Sequence, residues 1–256
     1  MTSEVTMGSN GVLVVTGISR GIGSAIALLA AKRGYLVAGN YSKDADGAKK
    51  VTQQLSRSGT NCLLLPADVS READVIRFFK QVESALGPIK ALVNNAAITG
   101  GLSRVDNVSS EALTRVFEVN VIGTILCSRE AVKRMSTRHG GTGGAIVNIS
   151  SRAARIGGAG EWVHYAATKG AIDTFTIGFA REVATEGVRV NAVAPGLIDT
   201  DIHAANGAPD RLELLAPTIP MRRPGTAEEV AEAVLWMLSP AAAYTTGAIL
   251  EVGGGR

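Results

Sequence analysis

A tyrosine and a lysine four residues apart provide the clearest chemical signal in the chain. Tyr165 and Lys169 come after an apolar strand and a glycine-rich loop, at the predicted start of a helix, so their side chains share one helical face. A phenol with a pKa of about 10 is a poor acid–base group at neutral pH. An ammonium about 5 Å away favours the phenolate by roughly 3 kcal/mol, which brings the pKa closer to the working range. The spacing therefore predicts that Tyr165 exchanges a proton with a substrate.

A serine pair precedes these two residues. Ser151 lies just beyond the predicted strand 145–149, where the loops of a parallel α/β sheet deliver side chains to a ligand. Ser150 is the alternative candidate, but it lies nearer the strand and is expected to pack. A tyrosine–lysine motif is weak when taken alone, and an exposed pair on an ordinary helix would look the same. The remaining motifs have to decide between these interpretations.

The composition fits one α/β domain. The chain has 256 residues, of which 46% are hydrophobic and 19% are charged, so it can bury a large core. Its net charge is +3 and its lysines and arginines are scattered, which makes nucleic acid a poor partner. Residues 1–10 are polar and are interpreted as a disordered leader, with the domain itself over 11–256.

Cysteine spacing and hydropathy indicate neither a metal site nor a membrane segment. Cys62 and Cys127 are in no metal-binding or redox spacing, and we interpret them as buried thiols in a reducing compartment. The polar leader has no apolar signal core, and no apolar run approaches membrane-spanning length. We therefore expect a cytoplasmic protein with no membrane contact and no bound metal.

Strand and helix patterns alternate along the chain. Apolar runs typical of buried strands lie at 12–15, 35–40, 62–65, 89–93, 145–149, 188–193 and 249–252. A first helical pattern follows the glycine-rich turn and ends near 33. Further helical patterns cover about 44–57, 72–86, 110–135, 165–186 and 227–238. The alternation predicts the α/β class, with a Rossmann-like, doubly wound, parallel seven-stranded sheet in a single domain. The stretch 201–225 is rich in Pro and Ala with weak periodicity, and we predict a mobile substrate lid there.

A glycine-rich turn follows the first predicted strand. Glycines at 17, 21 and 23 allow a tight turn and a close approach of phosphate to the N–H groups at a helix N-terminus. Their spacing is GxxxGxG and not GxGxxG, which favours a particular branch of the dinucleotide-binding folds. The alternative is a glycine-rich turn without a ligand.

The end of the second predicted strand bears on the choice of coenzyme. An acidic residue there would bind the 2′-hydroxyl of NAD and repel the 2′-phosphate of NADP. The chain instead has Asn40, Tyr41, Ser42 and Lys43, and Arg20 lies in the nearby glycine-rich turn. Uncharged and cationic groups favour NADP, although NAD remains possible because Asp44 lies near the expected distance from the last glycine. We interpret Asp44 as a helix N-cap.

Several motifs in order resemble the short-chain dehydrogenase/reductase family, in its single-domain branch. They are TGISRGIG, DV, NNAA, an asparagine in the middle of a helix, SS, YAATK and APGLIDT. The resemblance runs from Val12 to Gly254 and is specific because the motifs follow each other at compatible spacing. The 3-oxoacyl-carrier-protein reductases and the bacterial glucose 1-dehydrogenase-like members are the most similar in character.

The resemblance implies a catalytic role for four residues. Tyr165 would be the general acid–base, Ser151 would hold and polarise the substrate oxygen, and Lys169 would bind the nicotinamide ribose and lower the pKa of the tyrosine. Asn120 would keep a water in a proton relay that leads from the lysine to solvent. Tyr165 and Lys169 would thus also contact the cofactor.

The resemblance also assigns the remaining cofactor contacts. The pyrophosphate and adenosine side would be lined by Gly17, Ser19, Arg20, Ile22 and Gly23. Adenine would contact Asp68 and Val69, and the ribose wall would contain Asn94 and Ala96. The nicotinamide would lie against Pro195, Gly196, Ile198 and Thr200.

The chain departs from the family pattern near the substrate pocket. Ala97 replaces the last glycine of the usual NNAG, and Ser151 and Tyr165 are fourteen residues apart where many members have thirteen. The extra residue lies within 157–162, at the predicted rim of the pocket. The pocket candidates are Ile98, Arg152, Trp162, His164 and His203. The alternative is that they are surface loop residues, as we expect for His203 on the lid.

The sequence therefore predicts an NADP-dependent oxidoreductase that moves hydride between nicotinamide and a carbonyl or secondary alcohol. The alternative is a nucleotide-binding regulator that keeps the fold without turnover, although such a protein has no need of Tyr165. A dehydratase or epimerase would usually carry a larger C-terminal domain. The helix at 165–186 is apolar on several faces, for example at Phe175, Ile177 and Phe179, which predicts a homo-oligomer, either a tetramer or a dimer.

Overall fold

The computed structural model of the chain describes residues 10–201 and 208–256. The predicted leader lies outside the described residues except for Asn10, and so do part of the predicted lid and His203. Within the described residues, no helix is both long and apolar enough to cross a bilayer.

Strands and helices alternate as the sequence predicts. The strands are β1 Val12–Thr16, β2 Leu36–Tyr41, β3 Cys62–Pro66, β4 Ile89–Asn94, β5 Gly144–Ile149, β6 Val188–Pro195, β7 Ile198–Asp199, β8 Gly225–Thr226 and β9 Ile249–Val252. The helices are α1 Gly21–Lys32, α2 Ala45–Arg57, α3 Glu72–Leu86, α4 Ser110–Phe117, α5 Gly123–Met135, α6 Ala153–Ile156, α7 Val163–Val183, α8 Arg211–Leu215 and α9 Ala227–Leu238.

Seven of the strands form one parallel sheet in the order β3-β2-β1-β4-β5-β6-β9. The predicted doubly wound, seven-stranded α/β fold is therefore confirmed. The strand order reverses between β1 and β4, and in such sheets ligands bind at the carboxyl ends of the strands beside that reversal. The glycine-rich turn after β1 and the NNAA motif after β4 both lie at this edge.

Helices cover both faces of the sheet and bury its apolar strands. All five residues of β1 are buried, as expected for a strand between two helical layers. On one face the core contains Ile26 of α1, Leu55 of α2 and Leu235 of α9. On the other face it contains Phe79 of α3 and Met135 of α5, together with residues of α7. This close packing fixes the strand ends from which the site residues project.

The prediction of one continuous α-helix over 110–135 is wrong, because a π-helical segment interrupts it. A π-helical segment, Glu118–Ile122, separates α4 from α5 and contains Asn120. A π turn holds one more residue than an α turn and is often found at functional sites. The boundaries of other elements differ slightly, because α7 begins at Val163 and β2 continues to Tyr41.

A second, two-stranded sheet bounds the predicted lid. β7 and β8 pair in parallel, with Ile198 opposite Gly225 and Asp199 opposite Thr226. The described part of the lid is not wholly irregular, since it contains α8 and a 3-10 turn at Ala216–Thr218.

Candidate active site

The glycine-rich turn leaves no space for side chains. Gly17 and Gly21 have φ angles of +66° and +55°, which favour glycine. A Cβ atom on Gly17 would lie 2.9 Å from the Cα of Ala96, and one on Gly23 would collide with the Gly17 carbonyl. α1 begins here without a side-chain cap from Arg20 and without an acidic residue in its first turn. The free N–H groups of this helix end fit a dinucleotide pyrophosphate.

Thr16 and Asn95 brace this turn, and the sequence analysis missed both. The Asn95 side-chain amide donates to the carbonyl oxygens of Thr16 and Gly17 at 2.9 and 3.0 Å. The Thr16 hydroxyl oxygen accepts from the backbone N–H groups of Asn95 and Ala96 at 2.9 and 3.0 Å. These bonds join β1 to β4 across the reversal of strand order. The signal was a polar residue at the end of each of two strands predicted to be neighbours.

Two predicted cofactor residues have buried side chains. Asn40 is 2% exposed, and its amide accepts from the Gly17 N–H and donates to the Ala67 carbonyl. Asn94 donates to the Ser128 hydroxyl and the Asn148 amide at 2.9 and 2.8 Å. The Asn40 amide and the amide nitrogen of Asn94 are thus used inside the sheet, while Oδ1 of Asn94 is buried without a hydrogen-bond partner among the described residues. The contacts of these two residues with the cofactor stay a prediction. Asn40 acts on the site through the position of the glycine-rich turn.

The interpretation of Asp44 as an N-cap of α2 is confirmed. Its carboxylate accepts from the Gly47 N–H at 2.9 Å. This hydrogen bond holds the pKa of Asp44 below its ordinary value against the opposing effect of burial, and the Ser19 hydroxyl, Arg20 and Lys50 add smaller lowering contributions. Ser42 and Arg20 are exposed beside it, and Tyr41 is partly exposed.

The predicted adenine residues are fixed by the helices packed against them. Asp68 forms an ion pair with Arg115 at 2.6 Å and accepts from the Ser70 hydroxyl at 2.7 Å. Val69 is buried, and its side chain occupies the space where Gly123 has no Cβ. Both residues follow β3 at the same edge of the sheet as the glycine-rich turn.

Residues predicted to contact nicotinamide lie between the sheet and the lid. Gly196 follows β6 and donates its N–H to Val252 at 2.8 Å, next to Pro195 in the same strand end. Ile198 is buried in β7. The Thr200 side chain approaches Gly21, since a Cβ on that glycine would lie 3.5 Å from its methyl group. The structure thus brings the start of the lid against the start of α1.

Ser151, Tyr165 and Lys169 meet at the carboxyl end of β5. The Ser151 hydroxyl lies close enough to the Tyr165 hydroxyl to lower the pKa of the phenol. The Lys169 ammonium lies 5.5 Å from the centroid of the Tyr165 ring and donates to the Ile149 carbonyl at 2.7 Å. Ser150 is buried and donates to Asp173, so it packs as expected while Ser151 faces the tyrosine.

The charge states of this cluster differ from the expectation. Burial raises the pKa of Tyr165 to about 12, against the lowering effect of the hydrogen bond with Ser151. Burial also lowers the pKa of Lys169 to about 8, and Asp173 opposes that shift. The prediction that Lys169 lowers the pKa of the phenol is thus corrected for the chain's own residues. The ammonium lies over the ring and is directed at a backbone carbonyl.

Asn120 connects the loop after β4 to α7. Its side-chain oxygen accepts from the Ile98 N–H, and its amide nitrogen donates to the Ile98 carbonyl and the Thr168 hydroxyl, at 2.9 to 3.0 Å. Its backbone carbonyl accepts from the Thr124 hydroxyl. The side chain therefore holds both the backbone of Ile98 and the hydroxyl of Thr168, the neighbour of Lys169.

Comparison with known proteins finds relatives over nearly the whole chain. Residues 17–256 match the family model described as enoyl-(acyl carrier protein) reductase. The chain is 48% identical over 245 residues to the uncharacterized oxidoreductase YgfF of Escherichia coli, with 96% of this chain and 99% of that protein covered. It is 34% identical over 242 residues to the 3-oxoacyl-[acyl-carrier-protein] reductase FabG of Staphylococcus epidermidis, with 94% and 97% covered.

Solved structures agree with these relatives. A short-chain dehydrogenase of Burkholderia cenocepacia in complex with NADP superposes with a TM-score of 0.88 at 31% identity, covering 98% of each chain. A short-chain dehydrogenase/reductase of Serratia marcescens gives 0.87 at 34% identity, covering 95% of this chain and 96% of that one. The chain belongs to the short-chain dehydrogenase/reductase family. The resemblance is confirmed, and so is the prediction of an NAD(P)-dependent oxidoreductase.

In this short-chain dehydrogenase/reductase, the rim of the pocket is more buried than predicted. The Arg211 guanidinium of α8 lies 4.5 Å above the Trp162 ring and pairs with Glu161. His164 is 3% exposed, and neither ring nitrogen has a hydrogen-bond partner among the described residues. The alternative that Trp162 and His164 are surface loop residues is therefore wrong.

Of the other two described pocket candidates, one is exposed and the other forms structural contacts. Ile98 is exposed at the margin of the site. Arg152 pairs with Glu251 and donates to the carbonyl of Arg256, so it ties the end of β9 and the residues after it to the Ser151 loop. The charged side chain of Arg152, next to Ser151 in the chain, thus has a structural role.

Proposed function

We propose that this short-chain dehydrogenase/reductase is an NADP-dependent enzyme that transfers hydride between nicotinamide and a carbonyl or secondary alcohol. The proposal depends on one observation, the cluster of Ser151, Tyr165 and Lys169 at the end of β5. This cluster lies at the same sheet edge as the glycine-rich turn, so a dinucleotide held there would extend toward it. A protein that only bound a nucleotide would have no use for this cluster of serine, tyrosine and lysine.

The chain's own residues supply the proton and the geometry. With a pKa of about 12, the Tyr165 phenol is protonated at neutral pH and ready to donate to a carbonyl oxygen during reduction. Ser151 donates to the same oxygen and holds it near the phenol. Bound nicotinamide supplies or accepts the hydride. Lys169, next to Thr168 and Asn120, returns a proton to the tyrosine after turnover.

The coenzyme preference follows from the charges around the end of β2. Arg20 and Ser42 are exposed there, and the nearest carboxylate, on Asp44, is used in capping α2. Arg20 lies near the Asp44 carboxylate, whose pKa it lowers, and as an exposed cation it favours a 2′-phosphate. The Burkholderia cenocepacia relative in complex with NADP supports this choice. NAD is the alternative.

The apolar helix faces support self-association. Leu113 and Phe117 of α4, Ile122 of the π segment and Ile125 of α5 are exposed large hydrophobic residues. The π turn contains one residue more than an α turn, and this places Ile122 on the same side of the helix as Phe117. Leu113 and Ile125 lie on that side too. A second copy of the chain, as a dimer or tetramer, is the occupant we propose for this face. Two free thiols suit a reducing compartment, and we propose that the enzyme is cytoplasmic.

Replacement of Tyr165 by Phe tests the acid–base role. Because general acid–base catalysis contributes about 10²–10⁴-fold, Tyr165→Phe is expected to lower kcat by that range and leave NADPH affinity unchanged. Turnover is followed at 340 nm with a panel of ketones and 3-oxo esters, and affinity by NADPH fluorescence. Tyr244→Phe, at a fully exposed tyrosine, is the matched control. Retained turnover in Tyr165→Phe would refute the role, and a wild type inactive with both coenzymes would favour the regulator.

Replacement of Arg20 by Ala tests the coenzyme assignment. We expect Arg20→Ala to weaken NADPH binding about tenfold or more and to leave NADH binding nearly unchanged, because one charge-assisted contact is lost. Dissociation constants for both coenzymes give the comparison. Wild-type preference for NADH, or an equal loss for both, would contradict the assignment.

A further inference from the structure

A buried carboxylate lies behind the catalytic cluster and has no part in the mechanism described so far. Asp173 is 7% exposed and lies one helical turn beyond Lys169 on α7. The Ser150 hydroxyl donates to its Oδ1 at 2.5 Å and lies 3.4 Å from the Lys169 carbonyl. Asp173 is thus fixed by the serine that packs at the end of β5, next to the serine that faces Tyr165.

Lys169 needs a buried countercharge. It is 3% exposed, and its ammonium donates to a neutral carbonyl, that of Ile149. Removal of an ammonium from water is costly unless an opposite charge compensates for it. Residues four apart on a helix share one face, so the Asp173 carboxylate is on the face of α7 that carries Lys169. Its negative charge raises the pKa of Lys169 against the effect of burial.

The other groups around Lys169 carry no negative charge at neutral pH. Its own helix contributes Tyr165, whose phenol is protonated. The end of β5 contributes the Ile149 carbonyl and the hydroxyl of Ser150, and the π segment contributes the neutral Asn120 amide through Thr168. Among these contacts of the described residues, the titratable side chains facing Lys169 are Tyr165 and Asp173.

We propose that Asp173, held by Ser150, is a positioning residue that keeps Lys169 in its ammonium form at the carboxyl end of β5. The role rests on the proposed function, in which Lys169 returns a proton to Tyr165. A neutral lysine has a lone pair in place of one N–H donor and loses its attraction for a phenolate. Asp173 therefore sets the upper pH limit at which the cluster works.

Lysine-selective NMR tests the proposal without turnover. The protein is labelled with [ε-¹³C]lysine, the Lys169 resonance is assigned by its absence in Lys169→Arg, and its midpoint is measured between pH 6 and pH 11. Asp173→Asn keeps the shape and an acceptor for Ser150 but removes the charge. We expect this variant to lower the midpoint by about one pH unit. Asp106→Asn, at a surface carboxylate that is 59% exposed, is the matched control and should cause no change.

A second variant covers the case in which Asp173→Asn does not fold. Ser150→Ala keeps the carboxylate but removes its hydrogen-bond donor, so we expect a smaller decrease of the same midpoint. An unchanged Lys169 midpoint in Asp173→Asn, or in Ser150→Ala where the first variant is unfolded, would overturn the proposal.

Kinetics separate this role from a merely structural one. For any ketone or 3-oxo ester that the wild type reduces, the alkaline limit of kcat/KM should move to lower pH in Asp173→Asn, with near-normal kcat at pH 6. A uniform loss at all pH values would indicate damage to the fold and would also contradict the proposal. If the wild type reduces none of these compounds, the proposed function fails, and the NMR midpoint still decides the place of Asp173.

Discussion

Lys169, which is buried, and Tyr165, which is partly buried, set the charge of the proposed catalytic cluster. Burial moves the pKa of Lys169 down to about 8 and that of Tyr165 up to about 12, so both groups are driven toward their neutral forms. Both pKa shifts concern side chains that lie next to each other at the end of β5. The cluster is therefore a place where the protein gives up stability for chemistry.

Lys169 should make the protein less stable near neutral pH. In the unfolded chain its pKa returns to 10.5, so a folded value of about 8 corresponds to a cost of roughly 3 kcal/mol while both states are protonated. Lys169→Met should therefore unfold with a higher free energy than wild type below pH 8. Between pH 8 and 10.5 the native state binds fewer protons than the unfolded state, so the free energy of unfolding of the wild type rises with pH. The difference in this free energy between Lys169→Met and wild type therefore becomes smaller.

Urea unfolding of both proteins from pH 6 to pH 10 measures that difference. Tyr165 is present in both proteins, so its titration in the unfolded chain contributes equally to both curves. An equal difference across the whole range, or a wild type more stable than Lys169→Met at pH 7, would contradict the assigned cost.

At the scale of elements, the rim of the pocket depends on one contact between α8 and α7. Arg211 lies over Trp162, and the Trp162 carbonyl accepts from the Ala166 N–H in the first turn of α7. That turn also carries Tyr165. The position of the lid helix is thus connected to the orientation of the catalytic tyrosine.

Removal of Arg211 should loosen this contact. In a Trp236→Phe background, Trp162 is the remaining tryptophan and its fluorescence reports the rim. We expect Arg211→Ala to shift the emission to the red and to increase acrylamide quenching. Because a desolvated cation–π pair contributes up to about 2 kcal/mol, KM for a reduced ketone should rise by as much as about thirtyfold.

Arg223→Ala is the control for this experiment. Arg223 follows α8 in the chain and pairs with Glu229 at the surface. Its removal should leave the Trp162 emission unchanged. Equal quenching of Arg211→Ala and its parent would show that the arginine does not hold the rim.

The sequence predicted the layers of this fold better than the details of its site. Strands such as β1 are buried on both faces and are therefore apolar throughout, which makes them easy to recognise. The π segment was missed because one extra residue in a turn barely changes a helical pattern. The burial of Asn40 and Asn94 was not predicted, because an amide buried in a sheet and an amide facing a ligand are identical in sequence. The burial of Trp162 depends on α8, fifty residues away, which local patterns do not show.

At the scale of the whole molecule, the exposed apolar face of α4 and α5 should hold subunits together. We expect light scattering to give a mass of at least two chains for the wild type. A Phe117→Lys/Ile125→Lys double variant places two charges on this face and should lower that mass, since buried unpaired charges are costly. Leu214→Lys, at an exposed leucine of α8, is the control. A monomeric wild type would refute the proposed self-association.

The short pairing of β7 with β8 joins the two ends of the predicted substrate lid, so we expect that this segment can be exchanged as a unit. Ile198 and Asp199 fix its entry against Gly225 and Thr226 at its exit, and the Thr226–Glu229 capping box then starts α9. The two ends of the intervening chain are thus held beside each other by this strand pairing. Grafting the corresponding segment of another family member between these anchors should exchange substrate preference and leave coenzyme recognition intact.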